Sequence, residues 1–94
     1  MMNNKEMHNL ILSVVESINK DRPNEKIITI SDSTKLLGSE SALDSLDLFM
    51  FIVELETQLG LVGKSINVMG IIETAINENK EITLNDLIVA IKEL

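Results

Sequence analysis

The chain has 94 residues, 15 of them acidic and 8 basic, for a net charge of −7, and it has no cysteine. That length supports one domain with one modest core. The missing thiols exclude a disulfide framework, thiolate metal sites and a cysteine nucleophile, and the acidic balance repels the phosphates of nucleic acids.

Composition narrows the fold class. Residues are 45% hydrophobic, yet only Phe49 and Phe51 are aromatic. A core of Leu, Ile, Val and Met favours helix-on-helix packing and stays deformable. The start MMNNKEMHNL lacks the pattern of a signal peptide, and no apolar run reaches membrane-spanning length. One cytoplasmic domain over residues 1–94, not inserted in a membrane, is the expectation.

Met7, Leu10, Ile11, Val14, Val15 and Ile18 recur at spacings of three and four, which predicts an amphipathic helix over about 4–20, capped by Asn3 or Asn4. Pro23 disfavours helical geometry at the residue before it, so the Asp21-Arg22-Pro23-Asn24 stretch closes that helix. A long connection follows through residue 43. Its Ile27-Ile28-Thr29-Ile30 run has strand composition but no hairpin partner nearby, and reads as an extended loop laid over helix ends. Leu36 and Leu37, among turn residues, are expected to plug the core. So long a loop in a small domain is often functional.

The second helix is expected over about 45–59, opening at Asp44 or Ser45 and stopping at Gly60. A third, shorter and weaker, spans about 67–79; Gly70 inside it costs about 1 kcal/mol against alanine. Thr83-Leu84-Asn85-Asp86 has the form of a capping box with Asp in place of Glu, opening a fourth helix over about 84–93. The predicted fold is all-α: four helices with a long first loop.

The chemistry concentrates in Leu43-Asp44-Ser45-Leu46-Asp47, where the long loop meets the second helix. Free amides and the positive dipole end make a helix N-terminus a favourable place for a phosphodiester on a serine hydroxyl. Asp44 can cap the helix. Asp44-Ser45-Leu46, after a long loop and opening an acidic helix, resembles the attachment motif of acyl carrier proteins, and helix order and spacing extend the resemblance over essentially the whole chain. The resemblance implies a small four-helix bundle of acyl-carrier type with 4′-phosphopantetheine on Ser45. It implies an acyl thioester on the arm, an outside phosphopantetheinyl transferase to install it, and the second helix as the surface that partner enzymes read. It carries over Asp44, Ser45 and Leu46, and more loosely Asp47, Glu54 and Glu56. The plainer reading makes Asp44 an ordinary N-cap and Ser45 an ordinary first-turn residue.

At 100° per residue, Leu48, Phe51, Ile52, Leu55 and Leu59 share one arc of the second helix, which is expected to face the core. Leu46, Phe49, Met50 and Val53 share another, nearly opposite. Burying both is hard to arrange with four short helices, so the second arc is expected to be a docking patch beside the arm, bordered by acids. The alternative packs Phe49 under the long loop. No basic residue lies between Lys35 and Lys64, whereas Glu40, Asp44, Asp47, Glu54 and Glu56 are acidic, a pattern that suits a basic partner surface or simply a solvated face. Met50 stands where carriers of fatty-acid synthesis usually have an acid, and Thr57, Gln58 and the 60–64 segment thin the charge further. A dedicated lipid or secondary-metabolite pathway, with a more apolar partner surface, fits those departures.

Nothing forms a catalytic set. His8, the single histidine, lies on the first helix among polar neighbours, with nothing local to bring it to Ser45. Metal-ligand clusters, calcium loops and glycine-rich phosphate loops are missing from the sequence. The expectation is a monomeric carrier with no reaction of its own, loaded and unloaded by acyl-loading and acyl-processing enzymes. An aminoacyl or peptidyl carrier and an unmodified helical adaptor are the alternatives.

Overall fold

A computed structural model describes residues 3–20, 22–24, 27–37 and 43–93. Helix α1, Asn4–Asn19, starts at a reciprocal capping box: the Glu6 amide donates to Asn3 Oδ1 at 2.8 Å, and the Asn3 amide to Glu6 Oε1 at 3.2 Å. Two amides that the first helical turn leaves without partners are thereby satisfied. Met7, Ile11, Val14 and Ile18 form its buried stripe.

The 27–30 run is extended and outside the strands found among the described residues, and a side chain pairs with the backbone of one of its residues. Asn19, the last residue of α1, donates from Nδ2 to the Ile28 carbonyl and accepts the Ile28 amide, each at 2.9 Å. Buried Ile28 is held at the end of α1 by this two-way clamp.

The chain then departs from the all-α expectation. Lys35–Leu37 forms a strand, β1, antiparallel to β2, Ile82–Thr83, with Lys35 opposite Thr83 and Leu37 opposite Ile82. Leu36 is buried as expected, but its backbone reaches the core as part of a small two-stranded sheet. The partner is two residues long and lies in the second half of the chain, where it carries no strand pattern of its own. A Lys35–Glu81 ion pair of 2.9 Å flanks the pairing.

Helix α2, Ser45–Leu61, runs through Gly60 rather than stopping there. The residue that ends it is Gly63, at φ 83°. The Lys64 amide bonds the Leu59 carbonyl at 2.8 Å and the Gly63 amide the Gly60 carbonyl at 3.1 Å, the paired closure of a Schellman motif. Helix α3, Val68–Asn77, ends the same way around Asn79 at φ 58°, and α4, Leu84–Lys92, opens on the predicted Thr83/Asp86 capping box.

Helix α1 packs along α2, α2 meets α3, and α3 meets α4. Their shared core includes Met7, Leu36, Phe51, Leu55, Leu59, Val68, Ile72 and Leu87, and among the described residues it holds no buried polar side chain.

Candidate functional site

Asp44 is the N-cap of α2. Its extended backbone leads into the helix, its Oδ1 accepts the Asp47 amide at 2.7 Å, and its carbonyl accepts the Leu48 amide at 2.9 Å, the first intrahelical bond. The amides of Ser45 and Leu46 therefore lie ahead of the helical ladder, at its positive end. Ser45 is the first residue of α2 and is exposed. Among the described residues no side chain hydrogen-bonds its hydroxyl, so the serine has no built-in base there.

The two arcs of α2 separate as the periodicity requires. Leu48, Phe51, Ile52, Leu55 and Leu59 are buried. Leu46, Phe49, Met50 and Val53 stand in solvent, with 65%, 53%, 39% and 45% of their surfaces exposed. With Met50 and Val53, Phe49 walls an open groove of about 470 Å³ between α1 and α2, completed by Ser17, Ile18, Arg22 and Glu54. Of the described residues of the long connection, Arg22 lines the same groove as Phe49.

The acids around this face are not a free rim. Asp47 accepts Arg22 Nη2 at 2.6 Å, with both side chains only 21% exposed. Glu54 accepts Ser17 Oγ at 3.1 Å and Gln58 Nε2 at 3.3 Å. Glu56 turns to the other side and accepts the Met69 amide at 3.0 Å, satisfying a first-turn amide of α3. Asp47 and Glu54 thus fasten α2 to α1 and its following loop, while Glu56 fastens it to α3. Glu40 lies outside the described residues. Between the two flanks the exposed apolar strip has no charge of its own.

No family model, curated protein or solved structure matches this chain.

Arg22 and Ser17 are the site residues that sequence reading missed. Arg22 sits beside Pro23 in the connection, and nothing in its spacing points across to α2. His8 is engaged elsewhere, its ring nitrogens meeting the Asn4 carbonyl and Asp32, each at 2.8 Å. Among the described residues no cluster of His, Asp or Glu is arranged to hold a metal ion, and no helix is long and apolar enough to cross a membrane.

Proposed function

We propose that this chain is an acyl carrier protein with 4′-phosphopantetheine on Ser45, working as a cytoplasmic monomer in a specialised lipid or secondary-metabolite pathway. The observation that carries the reading is the Ser45 hydroxyl, exposed at the first residue of α2 and adjoining an uncharged apolar strip. The site fits the group: a phosphodiester there meets the amide end of the helix, and the Asp44 carboxylate is held in the cap by the Asp47 amide. When attached, the group supplies a thiol on a long flexible arm that carries an acyl thioester.

The protein's own residues then do three things. Ser45 anchors the arm at a fixed point and keeps its cargo at high effective concentration for a docked enzyme. Leu46, Phe49, Met50 and Val53 offer the enzyme a contact face. Because Asp47, Glu54 and Glu56 already have partners within the fold, docking rests more on apolar contact than on a ring of free carboxylates. The phosphopantetheinyl transferase and the loading and processing enzymes are the partners.

A test uses the purified protein, coenzyme A and a broad-specificity phosphopantetheinyl transferase. Intact-mass spectrometry is expected to show the addition of one phosphopantetheinyl group, mapped to the Ser45 peptide and absent from Ser45→Ala. An unchanged wild-type mass overturns the proposal.

A second reading is favoured by the same exposed strip: an adaptor that docks through Leu46, Phe49, Met50 and Val53 with no arm. Ser45→Ala separates the two, since an adaptor keeps its cellular activity and a carrier loses it while still folded. An aminoacyl or peptidyl cargo requires the same arm, and thioester analysis of the loaded protein distinguishes it.

A further inference from the structure

His8 is the only histidine in the chain, and both of its ring nitrogens face acceptors. Nδ1 lies 2.8 Å from the Asn4 carbonyl oxygen, and Nε2 lies 2.8 Å from Asp32 Oδ1. A neutral imidazole has one N–H and satisfies one of these contacts; the imidazolium has two and satisfies both.

What the ring holds gives the contact its significance. Asp32 belongs to the 31–34 turn, which closes on itself through Thr34 N–H to the Ser31 carbonyl at 3.0 Å and Ser31 N–H to Thr34 Oγ1 at 2.8 Å. The same turn receives the opening of α4: the Asp32 and Thr34 carbonyls accept the Asn85 and Leu84 amides at 3.0 and 2.9 Å. These are first-turn amides that the helix cannot satisfy internally. One imidazole therefore links α1, through the turn, to the start of α4.

We propose that His8 is a proton-operated latch: charged, it fastens the 31–34 turn and the opening of α4 to α1, and neutral, it lets go of Asp32. The inference stands apart from the carrier reading. The charged groups that face the ring are Asp32 from the turn and Lys92 from α4, whose ammonium also bonds the Asn4 side chain. The cleft beside the latch, about 520 Å³, is otherwise lined by Ile11, Leu12, Ile30, Ser31, Ser33 and Leu84, none of which titrates.

The direction of the switch follows from the partners. The Asn4 carbonyl, then Asp32, hold the His8 pKa above the ordinary value of 6.5, against partial desolvation and the repulsion of Lys92. A pKa raised by folding means that the latch contributes fully below the unfolded value, and its contribution is lost as pH rises through the folded one.

The single histidine makes the test clean. NMR titration of the His8 ring protons is combined with amide exchange at Leu84 and Asn85, corrected for base catalysis. In the wild type the ring is expected to titrate above the ordinary histidine value, and protection of the two amides to fall roughly threefold across that midpoint. Asp32→Asn lowers the midpoint, and His8→Gln removes the pH dependence of protection. A wild-type midpoint at or below the ordinary value overturns the latch, as does protection that ignores the charge on His8.

Discussion

Asp44 serves the helix before it serves any chemistry. Its carboxylate oxygen takes the Asp47 amide at 2.7 Å, and the negative charge lies at the positive end of α2. Asp44→Ala removes that acceptor and is expected to destabilise the fold by about 1 kcal/mol, whereas Asp44→Asn retains most of the cap. Urea denaturation of the two variants measures the difference, and equal losses would deny the capping role. The cap was legible because Asp before a strongly periodic run is a local signal. The engagement of Asp47, Glu54 and Glu56 was not. Each acid reaches a group remote in sequence, Arg22, Ser17 or the Met69 amide, and a charge run looks the same whether its members face solvent or neighbouring helices.

At the scale of elements, helix starts were better marked than helix ends. Asn3 and Thr83 open α1 and α4 with side chains three residues from their partners, within the reach of local pattern. The end of α2 depends instead on which glycine adopts a left-handed backbone. Gly60 is helical with open space where a Cβ would stand, while Gly63 has φ 83°. Gly60→Ala is therefore expected to stabilise the protein by about 1 kcal/mol. Gly63→Ala, which places a side chain in a disfavoured conformation, is expected to destabilise it by a similar amount. Thermal unfolding of the pair gives opposite shifts if the helix closes at Gly63, and the reverse pattern would return the stop to Gly60. At Gly70 a Cβ would come within 2.7 Å of the Nδ2 of Asn67, the cap of α3, whose side chain would have to shift. The strand pairing of Lys35–Leu37 with Ile82–Thr83, and the Asn19 clamp on Ile28, escaped local reading for a common reason. Both satisfy backbone groups with partners that no periodicity announces.

For the whole molecule, α2 places its two aromatics in opposite environments. Phe51 is fully buried in the common core, whereas 53% of Phe49 is exposed on the strip beside Ser45. A chain of this length has a total stability on the order of 5–10 kcal/mol. Phe51→Ala is expected to cost about 3–5 kcal/mol, a large part of that margin, through lost burial and the cavity left behind. Phe49→Ser should change stability by no more than about 0.5 kcal/mol, as for other surface positions. Parallel urea titrations measure both. A loss above 1 kcal/mol for Phe49→Ser would mean that the strip supports the fold, leaving nothing free to meet a partner. A near-zero change would leave four adjoining apolar side chains that the fold does not require. Exposed apolar surface favours association, and the net charge of −7 opposes it by keeping copies of the chain apart. Under the proposed function, that balance leaves the strip open to an apolar partner surface.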